Sequence, residues 1–226
     1  MIYNNIIAAK FISRPNRFIA EVEIDGKIEI AHVKNTGRCK ELLINGATVY
    51  VQMSDNSSRK TNFDLISVVK NGLLINMDSQ APNKVFGEWV AGGNFIKDID
   101  LIKPECKYGN SRFDYYIEGD GRKIFAEIKG VTLEENGVVM FPDAPTERGL
   151  KHIKELCKCV KSGYEAYIFF IIQMENCKFF MPNRVTHPEF ADMLNFARKN
   201  GVNIRALNCL VNPDELKINK EIEIKL

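Results

Sequence analysis

The chain has 226 residues, of which 45% are hydrophobic and 27% are charged, and its formal net charge is +2. This composition is that of a folded protein with one large core or two smaller ones, and it excludes an intrinsically disordered chain. The net charge is too small to indicate nucleic-acid binding by itself. A polyanionic partner would have to be recognised by a local arrangement of basic residues.

Two further features of the sequence predict a cytoplasmic protein without a membrane partner. Residues 1–15 lack a basic segment followed by a long apolar run, and no stretch has the ~18 uncharged apolar residues that a membrane span needs. The six cysteines are scattered. The only close pair, Cys157 and Cys159, lacks the spacing of zinc ligands, so we expect reduced thiols.

Residues 1–80 alternate β-type segments with turns. Two hairpins are predicted, because Asp25-Gly26 and Asn71-Gly72 favour the positive φ angles of tight hairpin turns. Residues 47–54 are predicted to form another strand, and residues 35–47 a short helix or a turn. About five short strands in this length indicate a small barrel or sandwich.

After residue 82 the elements become longer and alternate between helix and strand, so we place the domains at residues 1–82 and 83–226. A short helix is predicted from Asn83, as its N-cap, to Ala91. This order of elements predicts a mixed α/β sheet with helices packed on it. The later elements are a hairpin around Asp120-Gly121, a helix over 146–163, a buried strand over 164–173, a helix over 188–201 and a strand over 202–211.

The hairpin around Asp120-Gly121 carries two carboxylates in register. With a two-residue turn Gly119 pairs with Arg122, and counting outward places Asp114 opposite Glu127. Alternation then predicts that Asp114, Glu127 and Lys129 share a charged face, while Phe113 lies on the opposite, apolar face. Opposed like charges are destabilising, so something positive must compensate them.

Two interpretations of this charged face remain open. Two carboxylates a few ångströms apart are suitable ligands for Mg²⁺ or Mn²⁺, and the metal could activate water for hydrolysis while Lys129 orients the nucleophile. Alternatively, Arg112 lies diagonal to Glu127 and Lys129 diagonal to Asp114. The face would then be a solvated pattern of ion pairs without a metal.

An acidic residue on a helix, an Asp on the next hairpin strand and a following "E-x-K" resemble the PD-(D/E)XK nuclease motif. The matching residues are Glu88, Asp114 and "EIK" at 127–129. Phe113 stands where the motif has proline. The resemblance implies that Asp114, Glu127 and Lys129 are catalytic, and that Asp114 and Glu127, with Glu88, bind the metal.

Over nearly its full length the chain resembles the sugar fermentation stimulation protein A (SfsA) family. The similarity is carried by "HVKNTGRCKELL", "SRKTNFDLI", "YGNSRFD", "EIKGVTL", "FPDAPTERGLKHIKEL" and "GVNIRALNC". It implies an OB-fold followed by a PD-(D/E)XK nuclease-like α/β domain, a DNA-binding property and a link to the regulation of sugar (maltose) metabolism.

Other side chains are candidates for supporting roles. Arg148 and His152 are four residues apart on one helical face, where Arg148 could contact a phosphate and His152 could assist proton transfer. Asp143 is either an extra metal ligand or a helix-entry residue. The residues expected to contact nucleic acid are Arg14, Arg17, Phe18, Lys34, Arg38, Arg112 and Arg148.

Together these observations predict a nucleic-acid-binding protein, with DNA favoured over RNA, that carries a Mg²⁺- or Mn²⁺-dependent nuclease site. Two alternatives remain. One is a non-catalytic DNA-binding transcriptional regulator that retains the nuclease fold, and the other is a structural protein with a salt-bridged hairpin. The sequence does not indicate an oligomeric state.

Overall fold

The computed structural model describes residues 1–35, 37–56 and 58–226. In these residues the chain divides into two compact units. The first unit comprises Met1–Ala81 together with Gln173–Glu175 and Cys209–Lys217. The second comprises Pro82–Ile172, Asn176–Asn208 and Ile218–Leu226. The first unit therefore includes two short segments from late in the chain.

The first unit is built on a closed barrel. Its sheet has the strand order β3-β2-β1-β4-β5-β6, and a parallel pairing of β3 with β5 closes five of these strands into a ring. Closure leaves no open edge between the first and last barrel strands, as in an OB-type barrel. The strands are β1 Ile6–Asn16, β2 Ile19–Ile24, β3 Lys27–Val33, β4 Thr48–Met53, β5 Phe63–Lys70 and β6 Leu73–Asn76.

Both predicted hairpins of this unit are present. Asp25-Gly26 and Asn71-Gly72 connect adjacent strands, and all four residues have φ between 49° and 80°. Inward-facing residues of the strands, such as Ala20 and Val22 of β2, are fully buried. The segment 35–47 forms turns and no helix in its described residues, while Thr36 within it lies outside them.

The second unit contains a six-stranded mixed sheet in the order β15-β14-β12-β9-β8-β7 and a small sheet of β10, β11 and β13. The helices are α1 Ala81–Ala91, α2 Glu147–Lys161 and α3 Pro188–Lys199. The strands are β7 Ile99–Tyr108, β8 Ser111–Gly119, β9 Arg122–Val131, β10 Leu133–Glu135, β11 Val138–Phe141, β12 Glu165–Ile172, β13 Phe179–Pro182, β14 Asn203–Asn212 and β15 Glu215–Glu221.

The predicted central strand is β12. It pairs in parallel with β9 on one side and β14 on the other, and every residue from Ala166 to Ile172 is buried. A strand covered on both faces needs a continuous apolar sequence, which explains the pattern "AYIFFII". Helix α2 begins at an N-cap, Thr146, whose side chain accepts a hydrogen bond from the Gly149 N–H. The buried face of α2 includes Ile153 and Leu156, as predicted.

Two elements differ from the sequence predictions. Helix α1 begins at Ala81, so Asn83 lies inside its first turn and is not the N-cap. The turn is started earlier, because the Asp78 side chain accepts from the Gln80 N–H and its carbonyl accepts from the Ala81 N–H. The hairpin of β10 and β11, with Asn136 and Gly137 at positive φ, was not predicted, because its strands are only a few residues long.

The predicted fold class is confirmed: the chain is mixed α/β, with an OB-like barrel followed by a sheet-rich α/β domain. None of the three helices in the described part of the chain has the length and apolarity required to cross a membrane.

Gly119 provides a test of the packing around the β8–β9 hairpin. A Cβ at this position would lie 2.2 Å from the Asp98 carbonyl oxygen and 2.7 Å from Ile96 Cδ1. We expect Gly119→Ala to lower the free energy of unfolding by about 1–3 kcal/mol through overpacking, measured by urea denaturation. Lys123→Ala, an exposed change in the same hairpin, should shift it by less than about 0.5 kcal/mol. Equal effects of the two changes would contradict this packing.

Candidate functional site

The β8–β9 hairpin has the predicted register over its first five pairs, from Gly119↔Arg122 to Tyr115↔Ala126. The ladder does not continue to Asp114 and Glu127. Instead, Oδ2 of Asp114 accepts a hydrogen bond of 2.7 Å from the backbone N–H of Ile128. A side-chain carboxylate therefore occupies the place where a strand carbonyl would otherwise accept.

The interruption at Asp114 changes which side chains share a face. Phe113 packs against Phe125, with ring centroids 5.5 Å apart, and against His152 of α2. Phe125 shares a strand face with Glu127, and both Phe113 and Glu127 contact His152, so the prediction that Phe113 lies on the face opposite Glu127 is wrong. Tyr115 packs instead against Phe86 of α1, with ring centroids 5.2 Å apart. Simple alternation fails here because Asp114 replaces the regular ladder contact with a side-chain hydrogen bond.

Helix α1 holds Asp114 from its other side. The side-chain amide of Asn83 donates to Oδ1 of Asp114 at 3.1 Å, and the Tyr115 hydroxyl donates to the Asn83 carbonyl at 2.8 Å. Gly87 makes room for this arrangement, since a Cβ there would lie 2.6 Å from the Tyr115 hydroxyl oxygen. Sequence reasoning missed Asn83 as a site residue. The sequence does contain a signal for it, because Asn83 is a polar residue on the same helical face as the apolar residues Phe86 and Val90.

Glu127 is the buried carboxylate of the site, with 2% of its surface exposed. Its Oε1 accepts hydrogen bonds from Lys129 Nζ and from His152 Nδ1, both at 2.5 Å. Its Oε2 is also buried and has no hydrogen-bond partner among the described residues. An unpaired buried carboxylate oxygen is unfavourable, and a water molecule or a cation at this atom would satisfy it.

His152 links Glu127 to Arg148. Nε of Arg148 lies 3.5 Å from Nε2 of His152 and is oriented to donate to it. Because Nε2 accepts, the ring proton is on Nδ1, which donates to Glu127. The two residues share a helical face, as predicted. His152 is only 5% exposed, so it is a buried histidine of α2 and not a surface one.

The two carboxyl groups differ in acidity for identifiable reasons. Burial and the negative charge of Glu127 raise the pKa of Asp114 to about 6, against the opposing hydrogen bond from Ile128. Burial would also raise the pKa of Glu127, but the hydrogen bond from His152 and the charge of Lys129 lower it below its usual value. The pair thus consists of a firmly ionised Glu127 and a more basic Asp114.

The interpretation of the hairpin face as a solvated ion-pair pattern is wrong. Arg112 is largely exposed, and its ion-pair partner is Glu105, at 3.4 Å. Glu127 is buried beneath α2 and is compensated by Lys129 and His152. The compensating positive charge that the sequence required is therefore mainly Lys129, from the same strand.

Two other predicted site residues are exposed to solvent. Glu88 is an exposed residue of α1, and Asp143 is exposed in the segment between β11 and α2. Apart from positions 36 and 57, which the structure does not describe, the chain has no group of three His, Cys, Asp or Glu side chains arranged to hold a metal. The roles of Glu88 and Asp143 as ligands stay predictions.

Two of the predicted nucleic-acid contacts in the barrel unit are engaged within the protein. The guanidinium of Arg14 donates to four backbone carbonyls, those of Arg17, Asn35, Gly37 and Arg38, at 2.6–2.8 Å. Lys34 pairs with Asp78 at 3.1 Å and lies 3.7 Å from Asp64. These contacts assign both side chains a structural role.

Arg17, Phe18 and Arg38 remain accessible. The Arg17 guanidinium lies 4.7 Å from the centre of the exposed Phe18 ring. Beside them is a cavity of about 310 Å³ with a basic lining. Its lining residues are Arg14, Asn16, Arg17, Gly37, Arg38, Lys40 and Leu43.

Two models of known protein domains together match most of the chain. Residues 12–77 match the model of the SfsA N-terminal OB domain, and residues 80–215 match that of the sugar fermentation stimulation protein RE domain. The two matches cover the barrel strands from Ile12 onward and the sheet and helices that carry Asp114, Glu127 and His152.

Similar proteins cover the chain from end to end. Sugar fermentation stimulation protein homologs from Clostridium beijerinckii and Ruminiclostridium cellulolyticum are 60% and 59% identical, each over 100% of both chains. The solved structure of Pyrococcus furiosus SfsA in complex with Ca²⁺ is 32% identical, with a TM-score of 0.91, and the match covers 100% of this chain and 98% of that one. The chain therefore belongs to the sugar fermentation stimulation protein (SfsA) family.

Proposed function

We propose that the protein is a metal-dependent nuclease that binds nucleic acid, DNA in preference to RNA, and hydrolyses its phosphodiester bonds at Asp114, Glu127 and Lys129. The observation that carries this proposal is the unpaired, buried Oε2 of Glu127 next to a second carboxylate. Buried carboxylate pairs are retained where a cation or a reaction uses them, since they otherwise destabilise the fold.

The donor set suits Mg²⁺ or Mn²⁺. Carboxylate oxygens are hard ligands, and Mg²⁺ takes few of them from the protein because it keeps several waters. Asp114 and Glu127 would hold the ion, and Glu88 is a further candidate ligand. The Pyrococcus furiosus relative is in complex with Ca²⁺, which also prefers oxygen ligands, and this supports a divalent cation site in the present chain.

Each neighbouring side chain has a defined part in this proposal. A bound divalent cation would neutralise phosphate charge and acidify a water molecule. Lys129 hydrogen-bonds Glu127 and is 17% exposed, so its ammonium can also orient an attacking water or a phosphate oxygen. His152 fixes the carboxylate of Glu127 through Nδ1. Arg148 is exposed beside it and is placed to contact a phosphate.

The proposed nucleic-acid partner is supported by accessible cations. In the barrel unit Arg17 and Arg38 are exposed near Phe18, the combination with which OB-type barrels bind single strands. Arg112 is exposed on the hairpin that carries Asp114. A cytoplasmic location is proposed because reduced thiols, such as those of Cys106, Cys157 and Cys159, suit a reducing compartment. A part in the regulation of sugar (maltose) metabolism is proposed from the family relationship.

A second candidate function is a DNA-binding transcriptional regulator that does not cut. It is favoured by the finding that the described residues present no three-ligand metal group. Under this hypothesis Lys129 and His152 only neutralise a buried Glu127. The two candidates differ in whether the carboxylates are needed for turnover, so one set of substitutions separates them.

The first test is cleavage of end-labelled single- and double-stranded DNA and RNA with Mg²⁺ or Mn²⁺. We expect the wild-type chain to cut DNA, and Asp114→Asn or Glu127→Gln to lower the rate by at least about 10²-fold, because each removes a ligand charge but keeps the side-chain shape. Lys129→Gln should lower the rate similarly.

Two substitutions serve as matched controls for the cleavage assay. Asp100→Asn removes an exposed carboxylate of β7, and Lys123→Gln removes an exposed lysine of β9, so both should cleave at the wild-type rate. Binding without cleavage of any substrate would support the regulator instead. Cleavage that survives Glu127→Gln would exclude this site as the catalytic one.

The raised pKa of Asp114 predicts a pH-dependent stability in the absence of divalent metal. The pKa is near 3.9 in an unfolded chain and about 6 in the fold. The protonated Asp114 carboxyl therefore stabilises the fold fully below pH 4, and this stabilisation is lost as the pH rises through 6. We expect Asp114→Asn to be about 2–3 kcal/mol more stable than wild type at pH 8, with the difference vanishing near pH 4.

This difference is measured by urea unfolding in EDTA at several pH values. Asp100→Asn, which removes an exposed carboxylate of β7, is the control for the change of one charge. Added Mg²⁺ should reduce the advantage of Asp114→Asn at pH 8, because the ion stabilises the wild-type fold by binding it. A stability difference that is the same at pH 4 and pH 8 would show that the Asp114 carboxyl is not perturbed.

A further inference from the structure

The basic cavity of the barrel unit has a different character from the other charged clusters of that unit. Arg59 and Lys34 are neutralised by Asp64 and Asp78, with the closest contact at 2.6 Å. The cavity of about 310 Å³ is lined by four basic residues and by no carboxylate. Its lining is therefore a local excess of positive charge in a chain whose overall charge is only +2.

Arg14 forms the scaffold of this cavity. Its hydrogen bonds to the carbonyls of Arg17, Asn35, Gly37 and Arg38 join the connection between β1 and β2 to the segment that follows β3. Its Nε is also buried. The guanidinium of Arg14 therefore contributes a fixed positive charge to the cavity, but its N–H groups are not available to hydrogen-bond a ligand. Arg14 thus holds the other basic residues around the cavity and does not itself serve as the main ligand contact.

Arg17, Arg38 and Lys40 supply the available donors. All three are exposed, and in the described part of the chain none of them has a carboxylate within ion-pair distance. Three unpaired cations around one concave space repel each other, so an anion that enters the cavity relieves this repulsion and gains charge-assisted hydrogen bonds. The site is thus electrostatically prepared for a small ligand with more than one negative charge.

The size and lining of the cavity narrow the ligand class. A volume of about 310 Å³ is at the lower end of the range for small-molecule pockets, which is more space than a lone inorganic ion fills. Leu43 gives the lining a buried apolar residue, and the Arg17–Phe18 pair offers a flat cationic surface at its side. A phosphate attached to a planar, partly apolar group fits these features.

We propose that this cavity binds the phosphate monoester of a nucleotide, and specifically the terminal phosphate of a nucleic-acid strand. A monoester carries a charge of about −1.5 to −2 at neutral pH, whereas each internal phosphodiester carries one negative charge. The three unpaired cations therefore discriminate in favour of a phosphorylated end. The identification of the ligand as part of a strand rests on the proposed nuclease function, whereas the monoester chemistry rests on the cavity alone.

The test is competition binding with the full chain carrying Asp114→Asn, which should not cut, in buffer with EDTA. A fluorescent single strand is displaced by unlabelled strands of one sequence that end in a 5′-phosphate, a 3′-phosphate or only hydroxyl groups. We expect one of the phosphorylated strands to bind roughly tenfold more tightly than the hydroxyl strand, the effect of one charge-assisted contact. Equal affinity of all three strands would overturn the proposal.

Substitutions locate the effect. Lys40→Gln should remove most of the preference for the phosphorylated end while leaving the affinity for the hydroxyl strand nearly unchanged. Arg38→Gln should also remove the preference, but it should weaken the binding of the hydroxyl strand as well, because Arg38 belongs to the proposed strand-binding surface. Lys27→Gln, an exposed change at the β2–β3 turn of the same unit, is the matched control and should retain the preference. A preference that persists in both cavity variants would place the phosphate elsewhere and overturn the assignment.

A free nucleoside monophosphate is the fourth competitor and distinguishes the source of the phosphate. Competition as strong as that of the phosphorylated strand would support the monoester site but assign it to free nucleotides. The cleavage assay tests the proposed nuclease function independently of this binding experiment. Cleavage without end preference contradicts only the cavity proposal, and end preference without cleavage by the wild-type chain contradicts only the nuclease.

Discussion

The candidate site depends on the burial of the Glu127 carboxylate in the middle of the second sheet. An ionised group that is 2% exposed can remain there only with compensation, and Lys129 and His152 provide it at 2.5 Å each. This compensation is incomplete, because Oε2 stays unpaired among the described residues. The helix that carries His152 is therefore part of the site, and its packing against β12 fixes the position of Glu127.

Asp114 is held in a complementary way. The Ile128 N–H and the Asn83 amide fix its two oxygens, while burial and Glu127 raise its pKa to about 6. One carboxylate is thus firmly ionised and the other is readily protonated without a cation. A carboxylate pair that binds a divalent ion is expected to show this difference in acidity when the ion is absent. Binding of the ion would then stabilise the fold of this unit and would also be needed for the proposed activity.

Much of this was predictable from the sequence, for identifiable reasons. The dipeptides Asp25-Gly26, Asn71-Gly72 and Asp120-Gly121 fix hairpin turns locally, so three hairpins followed directly, and the register of the third was correct over its first five pairs. The faces of Phe113 and Asp114 could not be predicted in this way, because the ladder is broken by a side-chain hydrogen bond. Asn83 was missed for a related reason, since its contact with Asp114 spans 31 residues and carries no local pattern.

The sequence by itself determined the α/β class, the barrel, the buried strand β12 and the family to which the chain belongs, because these follow from periodicity, turn chemistry and extended motifs. Only the tertiary structure decided which charges are free. The sequence does not distinguish Arg14 and Lys34 from Arg17 and Arg38. In the fold, however, Arg14 binds backbone carbonyls and Lys34 pairs with buried carboxylates, whereas Arg17 and Arg38 are exposed. The state of a charged side chain depends on partners brought together from distant positions, and no local pattern encodes them.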